Sequence, residues 1–283
     1  MPRETLSYVH GGSVEPLKFL TIGQALEDAV ERAADREALV VCHQDVRWSY
    51  AQLNEAVDEF AAGLIALGLE PGDRIGIWSP NNLEWVITQF ASAKAGLILV
   101  NINPAYRIGE LEYALNKVEC KAIIIASEFK ASNYVEMLGK LAPELADTLP
   151  GELNAARLPH LRSVVCICED APAGMYRFAD VPGYGGEQQK LRLASVAETL
   201  QPDDAINIQF TSGTTGMPKG ATLTHFNVVN NGYFVGRAMR LTETDRLCIP
   251  VPLYHCFGMV MGVLTCITNG ATMVFPDEAF EPG

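Results

Sequence analysis

From Thr211 to Gly220 the chain reads TSGTTGMPKG: three glycines, four hydroxyl residues and one each of methionine, proline and lysine. A hydrophobic core has little use for such a stretch, but an anion does. Glycines let backbone N–H groups turn toward negative charge without side-chain interference. The hydroxyls of Thr211, Ser212, Thr214 and Thr215 can donate to phosphate oxygens, and Lys219 adds a point charge on a flexible stem. Thr211, Ser212, Gly213, Thr214, Thr215, Gly216, Met217, Pro218 and Lys219 together read as a polyphosphate cradle. It is not the loop of kinases and GTPases, which needs Gly-Lys followed by Ser or Thr and then a helix. Here Pro218 precedes Lys219, Gly220 follows it, and the next segment reads as a strand.

A second stretch, PLYHCFGMV (252–260), sets His255 at the start of a predicted helix. A lone histidine there would by default be packed or capping. Phe257, Gly258, Val260 and Met261 on the following turn could leave room for an aliphatic chain or serve ordinary helix packing. His225, in LTHFN, is expected to open a helix in a structural or capping role. Trp78, Trp85 and Tyr106 read as core, Asp203–Asp204 as a turn, and no metal ligands are identified.

Strand–helix alternation must position these groups. TIGQALEDAVERAAD (21–35) has an amphipathic helical period, ALVVCHQDVRWSY (38–50) reads as a hairpin turning at His43–Asp45, and Ser49 caps a following helix that Gly68 ends. From Asp73 onward, apolar strands RIGIWS, LILVNIN and KAIIIAS alternate with helical runs, and LRSVVCIC adds a strand. Nearly uniform apolar strands with short connections predict a doubly wound, mostly parallel α/β sheet covered on both faces. The Gly- and Pro-rich segment 171–192 reads as surface loop. After it come strand INIQF, the glycine-rich loop, strand GATLT, a helix over 225–239, strand DRLCIPV, a helix FGMVMGVLTCIT and strand TMVFP.

The 283 residues are 48% hydrophobic and 19% charged with net charge −13, which suits a globular chain and excludes a nucleic-acid partner needing a basic face. The seven cysteines form no Cys-x-x-Cys; they read as reduced, buried small residues, which places the protein in the cytoplasm. The apolar run Trp85–Val100 is interrupted by Gln89 and Lys94 and reads as helix then strand, so no transmembrane segment is expected.

SGTTG-PKG fixes eight positions, and at ordinary residue usage its chance occurrence at a given site is on the order of 10⁻⁹. The stretch resembles the phosphate-binding signature of the AMP-forming, adenylate-forming superfamily, which includes acyl-CoA synthetases, firefly-type luciferases and peptide-synthetase adenylation domains. Residues 50–115 look like that family's N-terminal region. INIQFTSGTTGMPKGATLTHFNVVNN and PLYHCFGMV look closest to the medium-chain, family-member-2 type of acyl-CoA synthetase.

The resemblance implies an acid–thiol ligase: carboxylate plus ATP gives acyl-AMP and pyrophosphate, and coenzyme A then displaces AMP. It implies ATP, Mg²⁺ and CoA as cofactors and substrates, with a fatty acid as the acid. It puts Thr211 to Lys219 on the ATP phosphates, with Thr214, Thr215 and Lys219 foremost, and gives His255 a catalytic place closing over the acyl pocket. Family members continue with a Tyr-Gly-x-Thr-Glu magnesium signature, a Thr-Gly-Asp ribose signature and a mobile C-terminal domain bearing a catalytic lysine, none of which occurs here. The expectation is therefore a truncated N-terminal part, inactive as a ligase alone, whose open sheet edge favours self-association or a homodimer. The implied division is 1–70 packing with 201–283, and 71–200 as a separate α/β subdomain. The alternatives are an aryl-CoA or peptide-synthetase type of adenylation enzyme, or a non-catalytic nucleotide- or acyl-binding module.

Overall fold

The structure, a computed structural model, describes residues 15–211 and 217–280. Helix α1 (Ile22–Ala33) starts at a capping box in which the Thr21 hydroxyl accepts from the Gln24 N–H and the Gln24 side chain accepts from the Thr21 N–H. Strands β1 (Glu37–Val41) and β2 (Val46–Ser49) form the expected hairpin, with Asp45 at φ +53° in its turn. Ser49 and Gln52 make a second capping box for α2 (Tyr50–Ala66).

The alternating region follows: β3 (Arg74–Trp78), α3 (Leu83–Lys94), β4 (Ile98–Asn101), α4 (Ile108–Lys117), β5 (Ala122–Ala126), the short pair β6 (Glu128–Phe129) and β7 (Ser132–Asn133), α5 (Tyr134–Leu141) and β8 (Ser163–Ile167). Then come β9 (Tyr176–Arg177), α6 (Val181–Tyr184), α7 (Glu187–Ala197), β10 (Ala205–Thr211), β11 (Lys219–Thr224) and α8 (His225–Met239). The described chain closes with β12 (Arg246–Cys248), α9 (Cys256–Gly258), a π-helical segment (Met259–Leu264), α10 (Thr265–Asn269) and β13 (Thr272–Phe275).

A seven-stranded sheet has the order β11-β10-β4-β3-β5-β8-β9, parallel except at β10–β11, and a four-stranded sheet has the order β12-β13-β1-β2. Alternate residues of β5 enter different cores. Ile124 joins Ile75, Ile77 and Leu99 in a core that runs through α1, α2 and α3 to Leu39 and Met273 of the smaller sheet. Ile123 and Ile125 face Leu111 of α4 and Leu138 of α5. Burial of both faces is why these strands read as unbroken apolar runs.

Three expectations change. The segment 171–192 is not a loop throughout: β9 and α6 lie in it, and α7 starts at Glu187, with the Gln189 side chain accepting from the Gly186 N–H at 3.1 Å. Good helix formers follow that glycine, but only Leu193 and Val196 are buried, too few to show a hydrophobic period. The same region explains a glycine within α2: a Cβ on Gly63 would stand 2.2 Å from the Val181 carbonyl oxygen. Second, the division that sets 201–283 with 1–70 does not hold for β10 and β11. Asn207, Ile208 and Gln209 pair with Leu99, Val100 and Asn101 of β4, placing 205–224 on the larger sheet. The hairpin 37–49 does share the smaller sheet with 246–275. Third, FGMVMGVLTCIT is interrupted by a π-helical stretch, which period alone does not announce.

His225 takes the expected structural role. It is fully buried, and its Nδ1 accepts from the Ile22 N–H at 3.0 Å, tying the start of α8 to the start of α1. Burial pushes its pKa down to about 4, against a smaller opposing pull from Asp204. The unfolded chain, with an ordinary histidine near 6.5, therefore takes up a proton that the native state refuses. Stability is lost as pH falls from about 6.5 to about 4, by on the order of 3 kcal/mol. Denaturant unfolding at pH 7 and pH 4.5 should show a drop for the parent that His225→Gln largely lacks; equal drops would refute the assignment.

Candidate phosphate-binding hairpin and His255 turn

Strand β10 is buried from Ile206 to Gln209 and emerges at Thr211; β11 leaves from Lys219. Thr211 and Lys219 are opposite partners in the antiparallel ladder, and the Thr211 hydroxyl donates to the Lys219 carbonyl at 3.4 Å. The loop between them is thus pinned at both ends, at the carboxyl end of a strand parallel to β4. In open α/β sheets that edge is where ligands lie. Ser212, Gly213, Thr214, Thr215 and Gly216 fall outside the described residues. Met217 is exposed, and Pro218 presents its carbonyl to the Tyr113 hydroxyl of α4 at 3.0 Å. Lys219 is exposed and has no salt-bridge partner among the described residues, so its ammonium is available to an anion.

The second signature is held from the same sheet. The loop before α3 clamps it: the Asn81 side chain donates to the Val251 carbonyl at 3.0 Å and accepts from the Leu253 N–H at 2.8 Å. Next along the chain, the Tyr254 carbonyl accepts from the Asn101 side chain at 3.0 Å. His255 is exposed and caps α9, its Nδ1 accepting from the Phe257 N–H at 3.1 Å, which leaves the ring proton on Nε2. Asn101 is also the ladder partner of Gln209, two residues before Thr211. The strand leading to the loop and the turn bearing His255 therefore meet at one place.

The residues after His255 divide. Phe257 and Met261 are 52% and 39% exposed, whereas Gly258 and Val260 are buried. The glycine leaves room for backbone: a Cβ there would lie 2.3 Å from the Pro252 carbonyl oxygen. Cys256, beside His255, has its thiol pushed up by burial, so it is no prepared thiolate nucleophile. Tyr106 is half-buried rather than core; burial first, then Glu110 and the phenols of Tyr254 and Tyr113, raises its pKa. Trp78 and Trp85 are fully buried, as expected.

Asn81, Asn101, Tyr113 and Gln209 were not singled out by the sequence reading. One signal was available: Asn207 and Gln209 alternate within an otherwise apolar buried strand, and buried amides need partners. For Tyr113 nothing local distinguishes a surface tyrosine from one holding a loop.

A cleft of about 720 Å³ lies elsewhere, between α1, α2 and α7, walled by residues including Glu27, Asn54, Asp58, Lys94 and Leu193. Its floor is Lys94, whose ammonium is matched by Glu27 at 2.9 Å and Asp58 at 2.7 Å. Glu55, Glu59 and Lys190 also line it, so four carboxylates face two ammonium groups there, a poor charge balance for phosphate. Among the described residues no group of three or more His, Cys, Asp or Glu side chains is placed to hold a metal ion, and no helix is long and apolar enough to cross a membrane. All seven cysteines are free thiols, but Cys42 and Cys248 are exposed, so the expected burial does not hold for these two.

Comparison with known proteins gives one consistent result. The profile of the AMP-binding enzyme family matches residues 26–282. The chain is 46% identical over 283 residues to the medium-chain acyl-CoA ligase ACSF2, mitochondrial, of Danio rerio, covering 99% of this chain and 46% of that protein. It is 40% identical over 262 residues to the putative acyl-CoA synthetase YngI of Bacillus subtilis, covering 93% of this chain and 48% of that one. The fold superposes on the anthranilate CoA ligase AuaEII, solved in complex with anthranoyl-AMP, with a TM-score of 0.78 at 23% identity, over 93% of this chain and 46% of that one. The chain thus spans about half the length of the relatives it matches.

Proposed function

Because the chain belongs to the AMP-binding enzyme family, we propose that it carries the phosphate-binding hairpin and the acyl-side turn of an ATP-dependent fatty acyl-CoA synthetase. The observation that carries this reading is the hairpin itself: Thr211 and Lys219 face each other where β10 leaves the sheet, closing a Gly/Thr-rich loop at the carboxyl edge. Names of relatives add the substrate class, medium-chain acids in ACSF2.

In the proposed reaction a carboxylate oxygen attacks the α-phosphorus of ATP. The bond to the bridging oxygen breaks, pyrophosphate leaves with that electron pair, and acyl-AMP remains. The coenzyme A sulfur then attacks the acyl carbon, its thiol proton is lost, and AMP departs. Both reactants in the first step are anions. Lys219 and the loop donors act where charge grows on the leaving pyrophosphate, which lowers the barrier. His255, exposed and capping α9, borders the acyl side. Among the described residues no group of three or more His, Cys, Asp or Glu side chains is placed to hold the magnesium expected with ATP.

The compartment we propose is one that keeps thiols reduced, the cytoplasm or the mitochondrion named for ACSF2. The test is ATP–pyrophosphate exchange with fatty acids of graded chain length, in a protein of the relatives' full length carrying this sequence. Exchange that depends on a medium-chain acid is expected, and none from the 283 residues alone. Exchange driven only by aryl or amino acids would overturn the fatty-acid reading.

A further inference from the structure

A closed ring of buried side chains joins the two halves of the site. The Asn101 carbonyl oxygen accepts from the Asn207 amide at 2.8 Å, and the Asn207 carbonyl oxygen accepts from the Gln209 amide at 2.9 Å. The Met259 sulfur accepts from the Gln209 amide at 3.1 Å and from the Asn101 amide at 3.2 Å. All four residues are buried, Asn101 at 2% exposure. Asn207 and Gln209 lie on the strand that ends at Thr211, and Met259 opens the π-helical segment four residues beyond His255.

Asn101 links the ring to the His255 turn: its amide donates to the Tyr254 carbonyl at 3.0 Å, one residue before His255, whereas the outward bond of the Asn207 amide goes to the Leu99 carbonyl of β4 at 3.0 Å. We propose that Asn101 is a positioning residue that sets the His255 turn against the strand feeding the phosphate hairpin. The position needs two donors and one acceptor on a short side chain. Aspartate cannot donate, serine has a single donor, and leucine has the shape without the bonds. Buried polar groups left unpaired are costly, so the turn has one well-satisfied register against β4 and β10. Asn81 holds the two preceding anchors, Val251 and Leu253, and the His255 N–H donates to the Pro252 carbonyl at 3.2 Å within the turn; the side-chain hold on the Tyr254 carbonyl comes from Asn101.

The structural claim is tested on the 283-residue chain by amide hydrogen exchange. Asn101→Leu should speed exchange across residues 253–259 by at least about tenfold, since the bonds to the Tyr254 carbonyl and the Met259 sulfur are both lost, and Asn101→Ser should fall between it and the parent. The β8 amides should not change. Asn230 is the control: it is 7% exposed and its side chain bridges Lys18 and Phe226, so Asn230→Ala removes a comparable amide far from this turn and should leave 253–259 as in the parent. Unchanged protection of 253–259 in Asn101→Leu would overturn the proposal. So would a uniform loss of protection in Asn101→Ser that Asn230→Ala reproduces; the serine variant decides if the leucine variant fails to fold.

The catalytic consequence rests on the reading that His255 borders the acyl pocket. In an active protein of the relatives' length, Asn101→Ser should raise KM for the carboxylate about tenfold and leave KM for ATP unchanged. Faster exchange in 253–259 without that KM split would support the positioning role and overturn the acyl-side role of His255.

Discussion

Replacing Lys219 with alanine is expected to lower kcat/KM for ATP in adenylate formation by about 10²–10³-fold, the usual loss when one stabiliser of developing charge is removed. KM for the carboxylate should hold. The argument begins with what Lys219 does not do. Its side chain is exposed, it has no salt-bridge partner among the described residues, and only its backbone is used, in the ladder and as acceptor for the Thr211 hydroxyl. An alanine there keeps both backbone roles, so stability should change by less than about 0.5 kcal/mol. Arginine keeps the charge but not its point-like character and should recover part of the activity. Pyrophosphate exchange measured beside denaturant unfolding separates the outcomes. An unaltered exchange rate in a stable Lys219→Ala protein would remove Lys219 from the proposed phosphate site.

The second large effect is at Gly258. Its backbone, at φ −76° and ψ −60°, is ordinary right-handed helix, so alanine could adopt it without strain. In an exposed helix the exchange would add about 1 kcal/mol of stability. Here the sign reverses. An added Cβ would meet the Pro252 carbonyl oxygen at 2.3 Å, its carbon at 2.7 Å and the Leu253 Cα at 2.8 Å. These are backbone atoms in a segment that Asn81 clamps from both sides, so they cannot rotate away. Gly258→Ala should destabilise the chain by about 2–3 kcal/mol, the range of overpacking, and displace the His255 turn. Thermal unfolding should drop by several degrees, with carboxylate-dependent turnover falling further than ATP affinity. A variant as stable as the parent would show that the close approach of this turn is not real.

Much of the frame was legible in the primary structure because its causes are local. Thr21 and Ser49 precede helices with glutamine three residues on, and both form capping boxes. β5 reads AIIIA because both its faces are covered. His225 opens its helix where the period begins, and its burial follows from packing on Ile22. The helix over 187–197 was not legible, since two buried residues leave no stripe.

What the residues determined by themselves was chemistry and rhythm: a Gly/Thr/Lys stretch whose donors and charge suit phosphate, and strands and helices in alternation. Those properties depend on residue type and on neighbours a few positions away. Only the tertiary structure decided that β10 and β11 extend the larger sheet, that Tyr113 holds Pro218, and that Asn101 stands between Gln209 and Tyr254. Each of these joins groups between 105 and 153 positions apart, and a hydrogen bond of that span has no signature in the spacing of either partner.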